Sequence, residues 1–295
     1  MRDLLQPWAD KLIRAMLPQH PFDIRTVEIP VPDLPLAFQG FRVAQISDLH
    51  IDRWNRAVAE ASVDAINRLD ADLLVCTGDN IANGPHYLSD VTGILGQLNA
   101  RHGKLACLGN HDYSDGSGSH GIRKALKSAG FDVLVNESTT LTLEHQHIQI
   151  AGSDDLILGS QCLRTTHRRL CQDPATILLS HNPENFEAIA QFRPELVLSG
   201  HTHGGQIYIP EGLRRRFIGF PYVAGLYAVD RSRLYVNRGL GSAVFVHHWG
   251  DRRLSLPTPR FLVRPEISVF VLVNARQHGP IHLDAHRVSA SPKAS

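Results

Sequence analysis

Three times between residues 42 and 112 a largely apolar run stops abruptly on a short group of ligand-type residues. Residues 42–47 lead into Asp48-Leu49-His50, residues 72–77 into Gly78-Asp79-Asn80, and residues 104–108 into Gly109-Asn110-His111-Asp112. Between them lie stretches with helical spacing, the first carrying Val58, Ala61, Val63, Ile66 and Leu69, the second centred on residues 91–98. This alternation predicts an α/β sheet, because parallel strands need helical crossovers and gather their functional loops at one edge. The pattern recurs later: residues 176–180 end on His181, and residues 196–199 end on Gly200-His201-Thr202-His203-Gly204-Gly205-Gln206. In His-x-His, a bend after the strand aims both imidazoles at neighbouring points, and the glycines allow close backbone approach. Taken alone, such a pair reads equally well as solvated loop residues. Here the polar groups all fall at strand ends.

The remaining chain fills in around this frame. Residues 27–47 read as two strands separated by a proline-containing turn at residues 33–35, and residues 122–129 as a short helix after a glycine- and serine-rich loop. Shorter alternating strands are expected over 131–151, a helix over 184–190, β hairpins and loops over 207–237, and a closing strand over 266–273. Residues 275–295 have little apolar pattern and are expected to be disordered. At the other end, Leu4, Leu5, Trp8, Leu12, Ile13, Met16 and Leu17 share one face of a helix that Pro18 ends. That stripe either packs on its own protein or lies on a membrane surface, with Trp8, Lys11 and Arg14 favouring the second reading. The organisation expected is an amphipathic helix and lead-in strand over 1–37, one catalytic domain over 38–274, and a tail over 275–295.

Composition sets limits on function. A formal net charge of +1 gives no field able to hold a nucleic-acid backbone, so no specific nucleic-acid partner is expected. Of the four cysteines, Cys76 and Cys107 sit inside apolar strands, as buried free thiols in a reducing compartment would, and Cys162 and Cys171 fit no clear pattern. No run reaches the roughly eighteen apolar residues that span a bilayer, and the N-terminus lacks the features of a cleaved signal. A cytoplasmic location is expected, with a peripheral place at the inner membrane face as an extension of it.

The seventeen histidines are the unusual number. The strand ends offer Asp48, His50, Asp79, Asn110, His181, His201 and His203, a set of carboxylate, amide and imidazole that suits Mn²⁺, Fe²⁺ or Zn²⁺ and lacks the thiolates of a structural zinc site. Seven ligands are too many for one ion. They suit two ions sharing Asp79, held roughly 3.5–4 Å apart as in two-metal hydrolases.

Ser47-Asp48-Leu49-His50, Gly78-Asp79-Asn80, Gly109-Asn110-His111-Asp112, Ser180-His181 and Gly200-His201-Thr202-His203 stand in the order seen in the calcineurin-like metallophosphoesterase superfamily, which the chain resembles from about residue 42 to 206. With Asn237-Arg238-Gly239-Leu240-Gly241 and Arg264-Pro265-Glu266-Ile267, the resemblance extends to about residue 273 and is to the bacterial phosphodiesterase branch of the YkuE and YaeI type. It implies a four-layer α-β-β-α sandwich. It also implies that Asp48, His50 and His203 hold one metal, that Asn110, His181 and His201 hold the other, and that Asp79 bridges them. His111 would give a proton to the leaving group, assisted by Asp112, or orient Asn110 or Asp79 instead.

Two divalent ions less two aspartates leave net positive charge for a phosphate, and would lower the pKa of a bridging water so that its hydroxide attacks in line. The protein serine/threonine phosphatases of the superfamily carry Asp-Arg-Gly at the bridging aspartate, whereas Asn80 follows Asp79 here, so that activity is not expected. Arg214, Arg215 and Arg216 are candidates for a substrate's second phosphate or sugar, or simply a solvated basic patch. The expected function is metal-dependent hydrolysis of a phosphodiester or pyrophosphate bond. The substrate is a small molecule or is lipid- or nucleotide-linked, the apolar run at 217–222 favouring a lipid. The rival reading is a binding module or scaffold that keeps the fold without the chemistry.

Overall fold

The computed structural model describes residues 22–114, 118–168, 175–207, 220–249, 252–276 and 286–287. The helix expected over 1–17, Cys171 and Arg214, Arg215 and Arg216 lie outside them, as does most of the tail.

A first sheet of six strands has the order β1-β14-β2-β3-β4-β5, made of β1 (Asp23–Val31), β2 (Arg42–Ile46), β3 (Leu73–Thr77), β4 (Lys104–Cys107), β5 (Asp132–Val133) and β14 (Glu266–Asn274). Strands β2 to β5 run parallel; β14 is antiparallel to β2 and parallel to β1. The lead-in strand β1 therefore belongs to the same sheet as the strands that carry the site. A second sheet of seven strands has the order β15-β10-β11-β9-β8-β7-β6, made of β6 (Glu137–Leu143), β7 (Gln146–Gly152), β8 (Thr176–Leu179), β9 (Leu196–Ser199), β10 (Gly225–Val229), β11 (Ser232–Val236) and β15 (His286–Arg287). In it β7, β8, β9 and β11 are parallel. Within the tail expected to be disordered, β15 pairs with Tyr227 and Ala228 of β10.

The helices are α1 (Arg56–Arg68), α2 (Leu88–Leu95), α3 (His120–Ser128), α4 (Leu163–Arg168) and α5 (Phe186–Ala190). Each core strand is apolar on both faces, and its alternate residues enter different layers. Leu74, Cys76, Ala106 and Leu108 face outward onto Ala59, Val63 and Ile66 of α1, Val91, Ile94 and Leu95 of α2, and Ile122, Ala125 and Leu126 of α3. Their neighbours Leu73, Val75, Leu105 and Cys107 face inward, onto Ile177, Leu179, Leu196 and Leu198 of the second sheet. Leu178 and Val197, on that sheet's far side, pack with Phe186, Ile189 and Ala190 of α5 and with Tyr222. Three apolar interfaces separate four layers, α-β-β-α. Fully burying one such leucine or valine is worth about 1.5–3 kcal/mol, which fixes both sheets face to face and brings their strand ends to one edge.

Besides β15, α4 and a hairpin of β12 (Val244–Trp249) with β13 (Arg252–Pro257) have no counterpart among the elements expected from sequence. Cys76 and Cys107 are buried free thiols, as expected, and Cys162 is an exposed one. Among the described residues no helix is long and apolar enough to cross a membrane.

Candidate metal centre

The chain turns sharply after each strand that feeds the site. Asp48, His50, Asp79, His201 and His203 all adopt left-handed backbone, with φ of 50°, 44°, 55°, 72° and 51°. This conformation costs energy in non-glycine residues and persists where the surrounding structure enforces it, commonly at functional sites. The enforcing contacts are visible. Asp48 N–H donates to Gly78 O (3.0 Å), and His50 N–H to Asp79 O (2.9 Å). Leu240 N–H and Gly241 N–H donate to Ser47 O and Asp48 O (3.0 and 2.8 Å), so the Asn237-Arg238-Gly239-Leu240-Gly241 run clamps the first ligand loop. A side chain at Gly200 would collide with Ser47 Oγ and Asp48 Oδ2, and one at Gly109 would meet Asp79 N at 2.6 Å.

The ligand-type atoms fall into three overlapping groups, Asp48 with His50 and His203, His50 with Asp79 and His111, and Asp79 with His181 and His201, the atoms of each within 4.8 Å of one another. Asp79 Oδ2 lies 3.5 Å from His50 Nε2 and 3.3 Å from His181 Nε2, so a single carboxylate oxygen addresses both. His50 Nε2 and His203 Nε2 are 2.9 Å apart, and His203 Nε2 is 3.5 Å from Asp48 Oδ1. His201 turns Nδ1 toward His181 Nε2 at 3.3 Å. His181 Nδ1 lies 2.8 Å from Thr77 O, to which it donates, leaving Nε2 for the centre. Asn110 Oδ1 is buried without a hydrogen-bond partner, an orphan acceptor of the kind a cation satisfies. All seven residues expected as ligands thus converge.

His111 and Asp112 diverge. The His111 ring stacks edge-on to His50 at 4.6 Å, its Nδ1 is 2.7 Å from Ala82 O, and its backbone N–H donates to Asp79 Oδ1 (2.8 Å). It lines, with Asp79, Asn110, His201 and Phe220, a cavity of ≈ 450 Å³. Asp112, expected to assist proton transfer, is instead fully buried, and its carboxylate accepts from Asp79 N–H, Asn80 N–H, Asn80 Nδ2 and Gly109 N–H at 2.8–3.1 Å. It ties together the loops carrying Asp79 and Asn110. Its acceptor oxygens are occupied by these N–H groups.

Two charged residues at the centre were not foreseen. Glu184 Oε1 is 3.5 Å from His201 Nε2. Arg260 Nη2 is 3.0 Å from His203 Nδ1 and also donates to the carbonyl oxygens of Gly239 (3.2 Å) and Gly241. Glu184 follows His181 closely in Asn182-Pro183-Glu184, a nearness that sequence alone supplies, whereas Arg260 stands in Pro259-Arg260-Phe261 with no pattern to mark it.

Burial dominates the electrostatics. It lowers the pKa of His50 to about 3, helped by His111; that of His201 to about 4, helped by His181; and that of His203 well below the usual range, helped by His50 and Arg260. These imidazoles are therefore neutral at pH 7, the form that ligates metal. Burial alone would lower His181 too, but the Asp79 carboxylate outweighs it and carries that pKa up to about 10. Burial would raise Asp79, yet His181 and His111 hold it well below the usual carboxylate range. Without a cation, Asp79 and His181 neutralise each other.

Comparison with known proteins bears on this geometry. Residues 41–205 match the family model of the calcineurin-like phosphoesterases. The metallophosphoesterase YkuE of Bacillus subtilis is 37% identical over 261 residues, covering 86% of this chain and 87% of that protein. The phosphodiesterase YaeI of Escherichia coli is 29% identical, covering 79% and 82%. The UDP-2,3-diacylglucosamine pyrophosphatase LpxG of Chlamydia muridarum is 28% identical, covering 78% and 83%.

Proposed function

The chain belongs to the calcineurin-like phosphoesterase family, among the relatives of YkuE and YaeI, and on that premise we propose that it hydrolyses a phosphodiester or pyrophosphate bond at a two-metal centre. The observation that carries this is the position of Asp79 Oδ2 between His50 and His181 at 3.5 and 3.3 Å, with three neutral imidazoles around it. The test is elemental analysis of purified, active protein alongside hydrolysis of a bis-aryl phosphate. Two equivalents of a divalent metal are expected, and active protein holding none sinks the proposal.

The residues fit such a centre. Asp48, His50 and His203 would hold one cation, Asn110, His181 and His201 the other, and Asp79 both. The donor set suits Mn²⁺, Fe²⁺ or Zn²⁺. Two bound cations supply positive charge for the phosphate and lower the pKa of a water to near neutrality. The chain's own residues do the rest. Asp112 fixes the loops of Asp79 and Asn110 through their N–H groups. His111 Nδ1–H donates to the Ala82 carbonyl, so Nε2 is the atom that would carry a second proton for a leaving alkoxide. Phe220 packs edge-on to His201 at 5.6 Å and covers part of the pocket from water.

For the substrate we favour a lipid- or nucleotide-linked phosphoester, met at the cytoplasmic face of a membrane. In support, Phe220, Ile207, Phe261 and Leu262 are 36%, 53%, 63% and 73% exposed, and relatives are named phosphodiesterase and UDP-2,3-diacylglucosamine pyrophosphatase. Arg214, Arg215 and Arg216 are assigned to a second phosphate or sugar on sequence grounds. Removing residues 1–17 separates this from a soluble diester substrate: loss of vesicle binding and of activity on lipid substrates alone is expected, whereas loss of both activities together overturns it. A scaffold role is disfavoured by the complete ligand set, which a protein without chemistry has no need to keep.

A further inference from the structure

The two histidines of Gly200-His201-Thr202-His203 meet opposite chemistry on the side away from the centre. His201 Nε2 faces the Glu184 carboxylate at 3.5 Å. A carboxylate there favours the proton on Nε2 and leaves Nδ1, which faces His181 Nε2 at 3.3 Å, with its lone pair free. His181 is similarly arranged, its Nδ1 donating to Thr77 O. In both, the nitrogen facing the centre is the one a metal binds, with no change of tautomer needed.

His203 is preset against ligation. Guanidinium nitrogens only donate, so the Arg260 Nη2 contact at 3.0 Å requires His203 Nδ1 to accept, which puts the imidazole proton on Nε2. That nitrogen is 2.9 Å from His50 Nε2 and 3.5 Å from Asp48 Oδ1, so its proton points into the space those ligand atoms surround. Coordination through Nε2 needs the proton to move to Nδ1, where it would oppose a guanidinium N–H. The fixed charge of Arg260 further opposes a dication on this side.

Resting on the two-metal reading, we propose that Glu184 and Arg260 impose an order of loading: the Asp79, His181 and His201 side takes the first cation, and the Asp48, His50 and His203 side takes the second only as Arg260 releases His203. Arg260 acts through His203 and is a positioning residue. A centre filled in this order stays half-loaded when metal is scarce.

The test is titration of chelator-stripped full-length protein with Mn²⁺, followed by calorimetry and by electron paramagnetic resonance. Two steps at least about tenfold apart in affinity are expected, a range typical of groups that support metal ligands, with the signal of an exchange-coupled Mn²⁺ pair only at the second. Arg260→Gln, which offers an acceptor to His203 Nδ1–H, tightens the second step and leaves the first unchanged; Arg260→Met, which removes the donor, does the same. Glu184→Gln weakens the first step. Equal affinities in the unaltered protein overturn the proposal without any variant. So does a second step that weakens in both Arg260 variants, which would make Arg260 only a brace for the Gly239 and Gly241 carbonyls. Absence of any Mn²⁺ binding overturns the metal centre itself.

Discussion

Asp79, at the end of β3 in the first sheet, meets His181, at the end of β8 in the second, with 3.3 Å between Oδ2 and Nε2. The centre is therefore the seam of the sandwich, and neither sheet carries it alone. Asp79→Asn removes the charge shared by both clusters, so metal content is expected to fall from two equivalents toward none and hydrolysis with it. Elemental analysis decides; a variant that keeps both ions refutes the shared role.

His111 lines the pocket and shares a group with His50 and Asp79, between the Asp48 and His181 groups. If it supplies the leaving-group proton, His111→Ala slows hydrolysis of alkyl esters by about 10²–10⁴, while nitrophenyl esters, whose leaving group needs no proton, lose little. Metal content stays the same. Equal losses on both substrates would assign it to orienting Asp79 instead.

Asp112 tests positioning. Asp112→Asn presents an amide donor to a nest of N–H groups and leaves part of it unpaired, at a cost of about 3 kcal/mol or more. A lower melting temperature and weaker metal binding are expected together, with no dependence on the leaving group. An unchanged melting temperature would contradict the buried hydrogen bonds.

The pairing of His181 with Asp79 sets a pH dependence for metal-free protein. The folded pKa of His181, about 10, stands above the ordinary 6.5, so the folded state binds the extra proton. Its stabilisation is complete below about pH 6.5 and is lost as pH rises toward 10. Melting of chelated protein across that window is expected to fall, and His181→Gln should remove this component. Metal-loaded protein should lack it, because coordination replaces the proton.

Gly200→Ala drives a methyl group into Ser47 Oγ and Asp48 Oδ2. One cation, on the Asp48 side, should be lost while the Asp79, His181 and His201 cluster keeps its own. Retention of two equivalents would show that the Asp48 loop yields.

The ligands were legible because apolar strands ending on Asp, Asn or His concentrate donors at one edge of a parallel sheet, and periodicity shows the strand ends. Asp112 was expected beside His111 because the two are adjacent in sequence. Adjacent side chains diverge in the 3-10 turn Asn110–Tyr113, and Asp112 enters the interior. Arg260 was invisible since its partner His203 lies fifty-seven positions away and no repeat links them. The β12–β13 hairpin alternates too weakly among charged residues and histidines to announce two strands.

The place of β14 between β1 and β2 has a bearing on how the protein is made. Ribosomes deliver His203 before residues 266–274, and at about 5–20 residues per second the interval is on the order of ten seconds. Throughout it β2 has an unpaired edge, and Glu266 is not yet there to receive Tyr235, within β11, and Arg238, just beyond it on the way to the Gly239 and Gly241 clamp. A nascent chain thus carries every candidate metal ligand before it has a finished place for them, and the centre matures only once β14 has been made.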